Sequence, residues 1–174
     1  LFNYGTKNEI NFSRLRGLVG IFGKNYSGKS SIVDGLLYTM FNTTSKNNRK
    51  NLNIINQNEE SCYGKIEIDI GKDTYTITRD SDKYKKNLKG KETVEAKTDV
   101  SFARKNKTTR EITEMSGIDR NETDKNIRRV FGNIDDFLLT SLSSQLGSLS
   151  FIGEGSTKRK EILAKFLDLD IFDQ

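Results

Sequence analysis

The chain of 174 residues contains no proline and no histidine, and its single cysteine is Cys62. One cysteine excludes an internal disulfide and any metal site built from cysteine alone. Without histidine, neither a histidine metal ligand nor a histidine general base is available. A reducing cytoplasm is the setting that this cysteine usage favours. Without proline there is no proline-marked linker, and no internal repeat is present. No apolar run approaches the roughly 20 residues that a membrane span requires, and no signal-peptide pattern opens the chain. Leu1 stands where a methionine would start a gene product, which points to a trimmed or cropped start.

Charged residues make up 30% of the chain and hydrophobic residues 33%, with a net charge of +5 and a pI near 9.2. The length suits one domain with a real core. The positive balance favours an anionic partner, a nucleotide or a nucleic acid, over a neutral one. Lysine-rich loops that merely keep the chain soluble account for the same charge.

Ile10, Phe12 and the run Leu18-Val19-Gly20-Ile21-Phe22 predict two early strands, the second fully buried. From Ile32 to Phe41 the apolar residues keep helical spacing. Thr43 to Asn58 reads as loop. Ile66, Ile68 and Ile70 alternate with Glu67 and Asp69, turn at Gly71-Lys72-Asp73, and resume at Tyr75 and Ile77, which is a hairpin. Val94 to Phe102 alternates as a third strand. Between them, Asp80 to Lys91, with Lys83, Lys85, Lys86, Lys89 and Lys91, reads as an exposed loop. Thr108 with Glu111 fits a capping box opening a short helix that Gly117 closes. A second helix is expected from about Glu122 to Phe131, and a last one from Ser156 to about Asp170.

Gly23-Lys24-Asn25-Tyr26-Ser27-Gly28-Lys29-Ser30 matches G-x-x-x-x-G-K-[ST] between a predicted buried strand and a helix. Backbone N–H groups in such a turn, and at the helix start, bind anionic oxygens. Glycine lets the backbone approach a phosphate. Lys29 is placed to reach the outer phosphates of ATP, and Ser30 to offer its hydroxyl to Mg²⁺. The candidate nucleotide site is therefore Gly23, Asn25, Tyr26, Ser27, Gly28, Lys29, Ser30 and Ser31. The guanine-reading N-K-x-D is absent, since Asn106-Lys107-Thr108-Thr109 lacks the acid. No buried apolar strand ends in the Asp-Glu pair that activates water. Ile66-Glu67-Ile68-Asp69-Ile70-Gly71 comes nearest, but its alternation marks a half-exposed hairpin strand. Leu142-Ser143-Ser144-Gln145 is a poor version of L-S-G-G-Q, because two serines replace the glycines.

In combination, NEINFSRLRGLVGIFGKNYSGKSSIVDGLLYTMF, NLNIINQNEESCYGKIEIDIGKDTYTITRD and FLLTSLSSQLGSLSFIGEGSTKRKEILAKFLDLDIFDQ resemble the N-terminal half of an SbcC-type ATPase head. These are SMC-like, ABC-class proteins of DNA double-strand-break repair, and the recombination-exonuclease subunits of tailed phages are among them. Lys24 and Tyr26 depart from the family's loop, where proline and glycine are common. The resemblance implies an α/β P-loop fold with a β-hairpin portion, residues 1–155 as the lobe and 156–174 as the start of a coiled-coil helix. It implies Gln145 as the Q-loop residue that ligates Mg²⁺ beside Ser30 and orients water, with Lys29 and Gln145 in the catalytic roles. The implied partners are the C-terminal half of the same head, a second copy of the head, an SbcD-type nuclease and double-stranded DNA, with no membrane. The location would be the cytoplasm, the host's if phage-encoded. Lys83 to Lys91 then becomes a candidate DNA contact, as do Lys158, Arg159 and Lys160. Another SMC-like chromosome-organising or gap-repair head, or a self-contained phosphate-loop kinase, are the alternative readings.

Overall fold

The computed structural model describes residues 1–174 except 3, 7, 45–50, 89–90, 142–154 and 167–174. Two compact units divide the chain, Leu1–Phe131 and Gly132–Gln174. The first holds helix α1 (Lys29–Phe41), strands β1 (Ser61–Ile70), β2 (Asp73–Leu88), β3 (Lys91–Asn106) and β4 (Ile112–Glu114), and helix α2 (Arg120–Phe131). The second holds α3 (Ile134–Thr140) and α4 (Ser156–Phe166).

The four strands form one antiparallel sheet in chain order. Alternation decides its faces. Cys62, Ile66, Ile77, Arg79, Ser81, Thr98 and Phe102 point inward, while Tyr63, Lys65, Glu67, Asp80 and Asp99 point to solvent. α1 packs on β1 and β2, and α2 on β3. Under α1, Tyr38 meets Cys62, Ile54, Ile55 and Phe2. Under α2, the rings of Tyr75, Phe102 and Phe131 cluster with centroids 5.6–6.1 Å apart, Tyr75 stacked on Phe102 and edge-on to Phe131, beside the buried Ile127.

The core carries polar groups, and three of them form a hydrogen-bonded chain. The Tyr38 hydroxyl bonds Ser81 Oγ, which bonds Thr98 Oγ1 at 2.6 Å. Burial pushes the Tyr38 phenol and the Cys62 thiol above their ordinary ranges, so both stay protonated at neutral pH.

Gly64 faces α1. A Cβ there would strike the Thr39 hydroxyl, which cannot swing aside cheaply because it donates to the Gly35 carbonyl at 2.8 Å. Gly64→Ala is expected to cost about 1–3 kcal/mol, the usual penalty for overpacking, measured by urea denaturation.

Three expectations are corrected by the structure. Ile10, Phe12 and Leu18–Phe22 are not strands: Phe12–Arg14 is a 3₁₀ turn and residues 18–22 are irregular, with Leu18 and Phe22 fully exposed. The apolar pattern is present, but no described strand pairs with it, and an unpaired strand has no ladder to hold it. Around Phe12, Asn11 Oδ1 accepts from the Ser13 amide at 3.0 Å and the Ser13 hydroxyl at 2.6 Å, which closes the turn.

The lysine-rich stretch from Lys83 is not a loop. Its described residues continue β2 and β3 as a ribbon, with Lys85–Glu92 at 3.6 Å, Lys86–Glu95 at 3.4 Å and Tyr84 bonded to Glu95 at 2.7 Å. The ribbon runs beyond the end of β1 at Ser61, so cross-strand charge pairs replace the apolar alternation that normally betrays a strand.

Thr108 and Glu111 do not cap a helix. The Asn106 carboxamide oxygen accepts from the Thr108 and Thr109 amides at 2.9 and 3.0 Å, Arg110 takes φ +63°, and the chain returns along β3 as β4. The same signature is used further along the chain. Asp119 Oδ1 accepts from the Glu122 amide at 2.8 Å, and Glu122 Oε2 from the Ile118 amide at 2.7 Å, at the start of α2.

Candidate nucleotide site

Residues 23–28 form a tight turn that delivers the chain into α1. Ser27 N–H bonds the Lys24 carbonyl at 3.3 Å, with Tyr26 at φ +63°. Gly28 then takes φ +85° and ψ 10° as the residue before the helix, a setting that strains any residue with a Cβ. Gly23 is closely packed inside the turn: a Cβ there would lie 2.9 Å from Ser27 Oγ, which would have to turn away.

Lys29, in the first turn of α1, curls back. Its ammonium donates to the carbonyls of Gly23 at 2.7 Å and Lys24 at 2.6 Å, and lies 3.5 Å from Ser27 Oγ. The turn thus wraps a cation held by two backbone carbonyls. At the opposite pole, the start of α1 has no side-chain cap. The Ser31 amide bonds the Gly28 carbonyl at 3.0 Å, while Lys29 and Ser30 carry the amides that a helix start leaves without an intrahelical partner and that suit an anion. Asn25, Tyr26 and Ser30 are exposed, and Ser31 is half-buried. Gln145 lies outside the described residues, as do Lys89 and Leu142 to Ser144.

Sequence reasoning missed Tyr4. Its hydroxyl donates to the Gly28 carbonyl at 3.0 Å across 24 residues. No spacing rule flags such a contact. Asp69, the residue nearest to a water-activating acid in the sequence, stands on the sheet's outer face and bonds Thr74 at 2.6 Å and Lys107 at 3.2 Å. Those two partners hold its carboxyl below the ordinary range, so it is a surface anion and not a base in a cleft. Among the described residues, no group of three or more Cys, Asp or Glu side chains could hold a metal, and no helix is long and apolar enough to cross a membrane.

A glycine-rich turn closing on a lysine at a helix start, in an α/β chain, defines a P-loop nucleotide-binding domain. A family model described as an AAA domain matches residues 2–174, and the chain belongs to that family of ATPase domains.

The relatives narrow the class. The chain is 28% identical over 174 residues to the DNA double-strand break repair Rad50 ATPase of Methanocaldococcus jannaschii, covering 99% of this chain and 15% of that protein. It is 36% identical over 72 residues to the SbcC component of the SbcCD nuclease of Clostridium acetobutylicum, covering 40% of this chain and 6% of that protein. It is 30% identical over 177 residues to the uncharacterized protein R555 of Acanthamoeba polyphaga mimivirus, covering 99% of this chain and 12% of that protein. The chain is therefore part of an SMC-like ATPase head of the Rad50 and SbcC kind, as its motifs imply, and it spans a small fraction of the curated relatives that it matches.

Proposed function

We propose that the chain is the ATP-binding N-terminal half of an SbcC-like head, which gates an associated nuclease on DNA ends by ATP-driven head dimerisation. The observation that carries this reading is the ring of acceptors around the Lys29 ammonium, set against the uncapped start of α1. A triphosphate suits this arrangement: its oxygens are better acceptors for the ammonium than two peptide carbonyls, and the amides of Lys29 and Ser30 at the helix start complete the cradle.

In this reading Gly23 to Ser31 hold ATP. Lys29 turns from the loop carbonyls to the outer phosphates. Ser30 and Gln145 hold Mg²⁺, which would supply charge neutralisation on the phosphates. Gln145 also orients the attacking water. Residues 1–155 make the lobe, and Ser156 begins the coiled-coil helix.

The partners are the C-terminal half of the head, a second head, an SbcD-type nuclease and double-stranded DNA, in the cytoplasm, or the host's if phage-encoded. The exposed apolar run Leu18–Phe22 supports a missing half, because it is patterned as a buried strand and has no described neighbour. It becomes a strand when the other half pairs with it.

The test is turnover. Residues 1–174 alone are expected to hydrolyse little or no ATP, since they carry no Asp-Glu strand. The two-half head with its nuclease is expected to hydrolyse ATP and to cleave DNA ends in an ATP-dependent way. Robust turnover by residues 1–174, or end cleavage indifferent to ATP, overturns the reading.

A further inference from the structure

We infer that Tyr4 is a positioning residue of the phosphate loop, acting through Gly28; the inference rests on the ATP-binding reading and deepens it. Gly28 is the hinge of the site. Its left-handed setting, φ +85°, decides where the amides of Lys29 and Ser30 point. Glycine is also the residue least able to hold one conformation by itself.

Tyr4 supplies the restraint from outside. Its hydroxyl donates to the Gly28 carbonyl at 3.0 Å, and the end of its side chain lies over the glycine, with the hydroxyl oxygen and two ring carbons 3.5–3.9 Å from where a Cβ would stand. The tyrosine is itself anchored. Its amide bonds the Leu1 carbonyl at 3.0 Å, and its carbonyl accepts from the Asn56 side chain at 3.3 Å. Two residues earlier, the Phe2 amide bonds the Ile54 carbonyl at 2.7 Å, and the Phe2 ring is buried against Ile54 and Ile55.

The path does not end at Asn56. Its carbonyl accepts from the Lys83 ammonium at 3.2 Å, at the base of the charged β-ribbon. Side-chain bonds therefore run from the ribbon base through Asn56 and Tyr4 to the loop glycine. A loop held in place before the ligand arrives has less ordering entropy to lose on binding.

Tyr4→Phe isolates the hydroxyl. The ring stays, and the Gly28 carbonyl keeps its bond from the Ser31 amide at 3.0 Å, so no buried acceptor is orphaned. In the intact protein, Tyr4→Phe is expected to weaken ATP·Mg²⁺ binding about fivefold by calorimetric titration, the worth of one net hydrogen bond. It is also expected to speed hydrogen exchange of amides 29–31 without nucleotide, with a fall in the unliganded melting temperature of no more than about 2–4 °C. A merely structural role would instead lower the melting temperature and leave affinity per folded molecule intact, and that result overturns the inference.

Wild-type affinity in the variant, beside a wild-type protein that binds ATP, also overturns it. If wild type itself binds no ATP, the nucleotide reading falls. The exchange rates then still decide Tyr4, and unchanged exchange at 29–31 overturns its role at the loop.

Discussion

Asp124→Ala is expected to lower the unfolding free energy by about 3–5 kcal/mol, because it strands a buried cation. Arg79 is fully buried, with 0% of its side chain exposed against 13% for Asp124. It stands on the inner face of β2, in register with Gly64 on β1. Its Nη2 donates to Asp124 Oδ1 in α2 at 2.6 Å, and its Nε to the Thr39 carbonyl near the end of α1 at 3.1 Å. One guanidinium thus ties both helices to the sheet. The bond to Thr39 also meets one of the carbonyls that a helix end leaves without an internal partner.

The third nitrogen, Nη1, is buried and has no partner among the described residues. The site is therefore costly to build, and two consequences follow. Arg79→Lys cannot replace the fork and should lose most of the benefit, since one ammonium cannot hold both acceptors in this geometry. Arg79→Met with Asp124→Leu removes both charges together and should recover most of the loss suffered by Asp124→Ala. Urea denaturation of Arg79→Met, of Asp124→Leu and of the double variant that combines them gives the coupling. Additive losses would mean that the pair contributes packing alone.

Lys29→Ala is expected to weaken ATP binding about tenfold to a hundredfold, the worth of one charge-assisted contact. The same substitution should barely change stability without nucleotide, since the loop is exposed and the ammonium bonds only loop carbonyls and a serine hydroxyl. The contrast between the two effects is the diagnostic. A lysine that only cross-links its own loop would lower the melting temperature and leave affinity alone. A lysine that exchanges those carbonyls for phosphate oxygens lowers affinity and leaves melting alone. Lys29→Arg should not rescue, because a planar guanidinium does not fit a ring sized to a point charge. Calorimetric titration with ATP·Mg²⁺, beside a thermal melt of the same sample, reads both quantities.

What the sequence determined by itself is local. The loop motif, the helix after it, the Gly71 turn with its hairpin, and α2 were all legible, because each rests on spacing within one or two turns of chain. Its membership of an ATPase family was legible too, from a resemblance carried by three segments in order, of which the phosphate loop is only one. Tertiary structure decided the rest.

Leu18 to Phe22 carries the pattern of a buried strand, but strand formation needs a neighbour, and pattern alone cannot supply one. Lys83 to Leu88 lacks any apolar pattern and is nevertheless a strand, because β3 pairs with it and Glu92 and Glu95 answer its lysines. Thr108 and Glu111 make a plausible helix cap, yet Asn106 took the Thr108 amide and Thr109 Oγ1 took that of Glu111 at 3.4 Å, and the chain turns into β4. Tyr4 and Arg79 were invisible for one shared reason: each acts on a backbone carbonyl 24 or 40 residues away. A hydrogen bond to a carbonyl leaves no trace in the identity of the residue that offers it, so only the folded chain reveals the partner.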